Sequence, residues 1–121
     1  MRREGDTIEA VEADLLRARK VAHDFADAVR AHFGTRVRAV RLYGSAARGD
    51  WTPESDIDVL VLLDELRTTD RQWLAQCALD LGLLQHALLL QPLPMTERDF
   101  GTLRQRQRRF ALDVDQEGLS L

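Results

Sequence analysis

GSAARGDWTPESDIDV, residues 44–59, separates two apolar runs and is the most informative stretch of this chain. A glycine and a serine follow the first run, and two aspartates, Asp56 and Asp58, stand at the entrance of the second. Residues two apart on an extended strand point to one side, with Cα atoms about 7 Å apart. Their carboxylates repel each other, and nothing in a core stabilises such a pair unless a cation lies between them.

A hard divalent cation, Mg²⁺ or Mn²⁺, is the partner that suits oxygen ligands of this kind. Magnesium keeps several waters and combines one or two carboxylates with the phosphates of a substrate. The pair Asp56 and Asp58 therefore predicts a metal site with a phosphate ligand nearby.

The start of the same stretch supplies a place for that phosphate. Gly44 allows the backbone to approach closely, the N–H groups of the next helical turn point outward, and the Ser45 hydroxyl adds a donor. Arg48 lies one turn further on and can pair with phosphate oxygens. Together these groups predict a triphosphate site that faces the metal site of Asp56 and Asp58. Enzymes that catalyse phosphoryl or nucleotidyl transfer use such a combination.

Taken separately, a Gly-Ser turn and an Asp-x-Asp pair are common, but their combination is specific. With ten residues between them, residues 46–55, they resemble the signature of the DNA polymerase beta nucleotidyltransferase superfamily. The string from Leu42 to Val59 is similar to the minimal nucleotidyltransferase (MNT) branch, and the resemblance covers roughly residues 37–100. It implies an α/β (α+β) nucleotidyltransferase fold, with a small mixed three-stranded sheet flanked by helices. It also implies ATP as substrate and Mg²⁺ (or Mn²⁺) as cofactor.

The sequence departs from the family pattern at one position. The family usually has a third carboxylate on the strand after the central helix, which helps to activate the attacking hydroxyl. Counting back from the next predicted helix places Gln91 there, and another register offers His86; neither is a carboxylate. Asp64 and Glu65 lie about 20 Å from Asp58 by strand rise, too far to substitute.

Two functions follow from the resemblance. MNT proteins often act as antitoxins beside a helical HEPN-type ribonuclease toxin, and some transfer AMP to a tyrosine of that toxin. The first function is therefore transfer of AMP from ATP to an acceptor hydroxyl on such a partner. The alternative is a catalytically silent module that binds a nucleotide or a partner, which Gln91 favours. A third possibility, modification of small molecules such as antibiotics, is disfavoured because no second domain is found.

Composition limits the remaining classes. The length of 121 residues and a hydrophobic content of 45% predict one domain over 1–121. The net charge of −3 argues against direct binding of nucleic acid, which basic domains perform. The longest fully apolar run, Val59 to Leu63, is too short to cross a membrane, and no apolar leader follows Met1. We therefore expect a cytoplasmic protein.

The predicted element order is α-β-short α-β-α-β-α. Apolar residues spaced three and four apart predict a first helix from Asp6, its cap, to Gly34. This helix is longer than a small sheet needs, so it is either a core helix with a frayed start or an overhang that packs on a partner or a second copy. The predicted strands are Val37 to Tyr43, Ile57 to Leu63 and Ala87 to Leu93. Pro92 and Pro94 predict an edge position for the last strand.

Two further features leave alternatives open. Trp51, between the turn and the aspartates, either stacks on a nucleotide base or anchors its loop. The basic run in the last helix is either a solvated face or a contact with an anionic partner; it consists of Arg104, Arg106, Arg108 and Arg109.

Overall fold

The computed structural model describes residues 4–106 and 108–121, and the side chains of residues 4–8 and 108 lie outside that description. The helices are α1 Glu4–Phe33, α2 Ser45–Arg48, α3 Thr68–Ala78, α4 Glu97–Arg106 and α5 Arg108–Glu117. The strands are β1 Val37–Tyr43, β2 Ile57–Leu63, β3 Leu90–Thr96 and β4 Leu119–Ser120. A 3₁₀ turn, Gly34–Arg36, links α1 to β1, and a π-helical segment, Leu79–Leu84, continues α3.

The four strands form one mixed sheet in the order β3-β2-β1-β4. Strand β2 runs parallel to β3, while β1 runs antiparallel to both of its neighbours. The predicted mixed α/β fold is confirmed, but the predicted number of three strands is wrong. The fourth strand pairs Ser120 with Arg41 and Leu119 with Leu42. Two residues carry no alternation pattern, so β4 left no signal in the sequence.

The central strand β2 is buried on both faces, as its continuous apolar sequence predicts. Ile57, Val59 and Val61 pack with α1 and α3 into the larger core. Leu60 and Leu62 face the other side and pack with α4 and α5. Side chains along β2 therefore alternate between the two sides of the sheet. This alternation also assigns Asp58 to the α4–α5 side of the sheet, because Asp58 and Leu60 are two residues apart.

Strand β3 begins at Leu90, three residues later than predicted. The preceding helix takes up the difference, because it continues through its π-helical segment and a last helical turn that contains His86. A Cβ at Gly82 would lie 2.7 Å from the carbonyl oxygen of Leu88 and 2.9 Å from the Cβ of Leu90. Glycine therefore allows this helix to lie directly against the start of β3. The predicted edge position of β3 is confirmed.

The predicted last helix is two helices. The hydroxyl of Thr96 accepts a hydrogen bond from the backbone N–H of Asp99 at 3.0 Å and so caps the start of α4. Arg104 of α4 pairs with Asp115 of α5 at 2.9 Å, and Arg109 pairs with Asp113 at 3.7 Å. In the predicted basic run, Arg104 therefore joins α4 to α5, and Arg109 forms an ion pair within α5. The side chain of Arg108 lies outside the described residues.

Helix α1 is only partly covered by the sheet. Ala18, Phe25 and Val29 are fully buried, whereas Val11 is 48% exposed and Leu16 is 68% exposed. The 30 residues of α1 span about 45 Å at 1.5 Å per residue, so its first half extends past the core. The predicted cap at Asp6 lies outside the described side chains.

A buried carboxylate secures the end of the sheet farthest from residues 44–59. Asp70 is 6% exposed and accepts two hydrogen bonds from Arg36, at 2.7 and 3.3 Å. It also accepts one from the backbone N–H of Arg67 at 3.0 Å, at the start of α3. The Arg36 guanidinium holds the pKa of Asp70 below its usual range. This cluster ties α3 to the turn that precedes β1.

We expect Asp70→Asn to lower the free energy of unfolding by about 1–3 kcal/mol, because it weakens a buried charge-assisted pair. Since the pKa of Asp70 is lower in the folded protein, the pair stabilises the fold above about pH 4 and is lost as the pH falls further. Urea unfolding of both proteins at pH 7 and pH 3 measures this. Asp24→Asn, in the exposed pair with Lys20, is the control and changes stability little. A difference that is as large at pH 3 as at pH 7 contradicts the assignment.

Candidate active site

The pairing of β1 with β2 brings the two ends of residues 44–59 together. Tyr43, the last residue of β1, pairs with Asp58 in the antiparallel register. Gly44 follows with φ +73° and ψ −152°, a backbone conformation that residues other than glycine rarely adopt. A Cβ at Gly44 would lie 2.5 Å from Oδ2 of Asp58. The Asp58 carboxylate therefore lies directly against the backbone bend.

The two aspartates form a pair of like charges, and no cationic side chain among the described residues forms a salt bridge with either of them. Asp58 is half-buried and Asp56 is exposed. Burial raises the pKa of Asp58, the negative charge of Asp56 raises it further, and the positive charge of Arg48 partly offsets both. A divalent cation would relieve this repulsion, and carboxylate oxygens are ligands that Mg²⁺ and Mn²⁺ accept. Within residues 4–106 and 108–121, no group of three or more His, Cys, Asp or Glu side chains is arranged to hold a metal.

The short helix α2 begins at the bend and is held from behind by α1. The N–H groups of Ala47 and Arg48 both donate to the carbonyl of Gly44 at 3.1 Å. Arg19 of α1 donates to the carbonyls of Ala46 and Ala47 at 3.0 and 3.2 Å, which satisfies groups that a helix end leaves free. Sequence reasoning missed Arg19, because a single arginine in an amphipathic helix has no distinguishing pattern.

Trp51 anchors the loop between the bend and the aspartates. Its ring is 1% exposed and packs in the larger core. Its Nε1 donates to the backbone carbonyl of Ser55 at 3.1 Å. The loop-anchor interpretation is therefore supported, and the buried ring has no free face for a nucleotide base. The residue immediately after Ser55 is Asp56, so this anchor also restrains the first carboxylate.

Arg48 has two carboxylate partners. Its Nε lies 3.5 Å from Oδ2 of Asp50, and its terminal NH1 nitrogen lies 3.4 Å from Oε2 of Glu117 in α5. A cavity of about 210 Å³ separates the bend from α5. It is lined by Tyr43, Gly44, Arg48, Phe110, Asp113, Val114 and Glu117. Sequence reasoning missed the α5 wall, because α5 and the bend are far apart in the chain.

Tyr43 connects this cavity to the aspartate pair. Its ring meets that of Phe110 edge to face, with centroids 5.7 Å apart. Burial, and then the charge of Asp58, raise the pKa of Tyr43 to about 12. The phenol therefore stays protonated at neutral pH.

Gln91 lies beside Asp58. The two residues are partners in the parallel register of β2 and β3, so their side chains share one face of the sheet. His86 lies on the preceding helix instead, so the alternative register is wrong. Asp64 and Glu65 are engaged elsewhere, in pairs with Arg36 at 3.2 Å and Arg67 at 2.9 Å. A neutral amide thus occupies the place where a third carboxylate was sought.

Comparison with known proteins identifies the family. Residues 23–114 match the family model described as a nucleotidyltransferase domain, which is more than half of the 121-residue chain. The chain belongs to this nucleotidyltransferase family. The resemblance to minimal nucleotidyltransferases is thereby confirmed.

Two individual proteins are similar to this nucleotidyltransferase domain. A protein of Methanocaldococcus jannaschii, named "Putative protein adenylyltransferase", is 42% identical over 45 residues, which is 37% of this chain and 45% of that protein. A crystal structure from Sulfolobus solfataricus, described as a "putative nucleotidyltransferase", matches with a TM-score of 0.59 and 18% identity. That match covers 91% of this chain and 84% of the other, and it supports the fold. Among the described residues, no helix has the length and apolar character needed to cross a membrane.

We expect Gly44→Ala to displace the Asp58 carboxylate, because the added methyl group would overlap Oδ2. The affinity for ATP with Mg²⁺ should fall about ten-fold or more, since an ångström-scale displacement of a site group has effects of this size. Gly49→Ala is the control for a positive φ: Gly49 is left-handed at φ +96°, but nothing lies within 4 Å of the added Cβ. Calorimetric titration and thermal melts of both variants measure the two effects. Equal loss of affinity in both variants would mean that strain alone is responsible.

Proposed function

We propose that this domain transfers a nucleoside monophosphate, AMP from ATP, to an acceptor hydroxyl and releases pyrophosphate. One observation carries the proposal: the Asp58 carboxylate lies against the Gly44 bend, with Asp56 two residues earlier, immediately before β2. Metal-bound triphosphate chemistry needs carboxylates and phosphate donors within reach of each other.

Each residue of the site has a proposed role. Asp56 and Asp58 hold Mg²⁺ or Mn²⁺, and such a metal supplies neutralisation of the triphosphate charge. Backbone N–H groups at Gly44 and Ser45, with the Ser45 hydroxyl, bind phosphate oxygens. Arg48 adds a cationic donor, and its ion pairs are the exposed kind that exchange readily.

In the reaction, the acceptor oxygen bonds to the α-phosphorus of ATP as the bond to the pyrophosphate oxygen breaks. The acceptor also loses a proton. Gln91, beside Asp58, cannot take that proton because an amide is not basic at neutral pH. The proton therefore passes to water or to a group that arrives with the acceptor. Without a positioned base, rates are typically lower by about 10²–10⁴.

The choice of AMP and of a protein acceptor is supported by the Methanocaldococcus jannaschii relative, whose name describes protein adenylyltransfer. We propose a helical HEPN-type protein as the partner, in a toxin–antitoxin pair. The first half of α1, with exposed Val11 and Leu16, is a candidate docking surface for it. A second copy of this chain is the other candidate occupant.

A catalytically silent module is the second candidate function. The neutral Gln91 next to Asp58 favours it, because the site then binds nucleotide without a base for turnover. Incubation with α-labelled ATP and Mg²⁺, with and without the partner, separates the two. Label on a protein or nucleotide acceptor supports transfer, and binding without any label supports the silent module.

We expect Asp56→Asn and Asp58→Asn each to abolish Mg²⁺-dependent ATP binding while the fold is retained. The amide keeps the shape of the carboxylate but cannot neutralise a cation. Calorimetric titration with ATP, with Mg²⁺ and with EDTA, measures the effect, and circular dichroism checks the fold. Asp24→Asn, on the exposed surface of α1, is the control for loss of one charge. If both site variants bound ATP with Mg²⁺ like the parent, the assignment of Asp56 and Asp58 as metal ligands would be wrong.

We expect Gln91→Asp to accelerate transfer about ten-fold or more, because a carboxylate in register with Asp58 can accept the acceptor proton. Gln91→Asn is the control, since it has the same size and shape as aspartate but remains neutral. Initial rates of label transfer with saturating ATP measure the gain. If both variants behave alike, proton removal at this position does not limit the reaction.

A further inference from the structure

The guanidinium of Arg48 is held by a carboxylate from a distant part of the chain. Glu117, near the end of α5, approaches the NH1 nitrogen of Arg48 at 3.4 Å, although 69 residues separate them. The two side chains are 39% and 44% exposed, and both line the cavity between α5 and the Gly44 bend. A group that binds to Arg48 from this cavity meets Glu117 first.

The segment that carries Glu117 is fixed to the sheet on several sides. Asp115 pairs with Arg41 of β1 at 3.3 Å as well as with Arg104 of α4. Just beyond Glu117, β4 pairs with β1, and the N–H of Leu121 donates to the carbonyl of Val40 at 2.9 Å. The backbone of Glu117 therefore cannot move away easily, so its pair with Arg48 separates by rotation of one of the two side chains.

We propose that Glu117 sets the nucleotide affinity of this site by competing with the triphosphate for Arg48; this rests on the proposed function. A phosphate oxygen that bonds to Arg48 displaces the Glu117 carboxylate. Because α5 is anchored, the displaced carboxylate remains within a side chain's length of the bound phosphates and repels them. Glu117 thus weakens binding twice, through the lost ion pair and through the remaining repulsion.

Asp113 supplies a matched comparison. It lines the same cavity, but its carboxylate pairs with Arg109 at 3.7 Å. Asp113→Asn removes one negative charge from the cavity and leaves the ion pairs of Arg48 intact, whereas Glu117→Gln removes one negative charge and also breaks the ion pair at the NH1 nitrogen of Arg48, with Asp50 still at Nε. The two variants have the same net charge, so a difference between them isolates competition at Arg48.

The test is calorimetric titration of ATP with Mg²⁺ into the parent, Glu117→Gln, Asp113→Asn and Asp58→Asn. We expect Glu117→Gln to bind about two- to five-fold more tightly than the parent, which is the upper part of the range of an exposed ion pair, and Asp113→Asn to gain clearly less. An equal gain in both variants overturns the proposal, because general charge repulsion then explains it. Unchanged or weaker binding by Glu117→Gln also overturns it.

The same titration separates this proposal from the proposed function. If the parent binds ATP and Asp58→Asn does not, the assignment of Asp58 to the metal site is supported. The comparison of Glu117→Gln with Asp113→Asn then tests only whether Glu117 competes with the triphosphate for Arg48. If Asp58→Asn binds like the parent, or if neither the parent nor Glu117→Gln binds, the proposed function itself fails and the competition fails with it.

Discussion

The contact between the Asp58 carboxylate and the Gly44 bend is the constraint on which the site depends. It exists because β1 and β2 are antiparallel neighbours whose register pairs Tyr43 with Asp58. A one-residue slip in that register would turn every side chain of β2 to the opposite face. Such a slip would also turn the Asp58 carboxylate toward the larger core, where a buried charge is costly, so the packing that forms the core keeps the carboxylate against the bend.

The groups around this contact are supported by elements that do not belong to the site. Arg19 binds the carbonyls of α2 from one side, and Trp51 secures the connecting loop through the core. Both act from the α1 side of the sheet, while the carboxylates face the α4–α5 side. Residues whose own positions are locked by packing hold functional groups more accurately than free loops do. The short loop sequence is therefore more rigid than its polar composition suggests.

Charge is distributed unevenly around the proposed phosphate position. Carboxylates stand on three sides of the bend, from Asp58 in β2, Asp50 in the loop and Glu117 in α5, and Arg48 is the cation placed among them. Such a site favours ligands that bring their own positive charge, as a nucleotide does when it carries a divalent metal. The amide of Gln91 keeps a further negative charge away from Asp58.

The family, the two inner strands, the carboxylate pair and the neutral residue at position 91 could all be predicted from the amino-acid sequence, because each leaves a local pattern of spacing or burial. The later start of β3, the two-residue strand β4 and the division of the last helix were decided by tertiary packing. The contact of Glu117 with Arg48 was decided in the same way, since 69 residues separate the two. Local spacing in the sequence predicts helices, strands and short motifs, whereas contacts between distant segments depend on how the core brings those segments together.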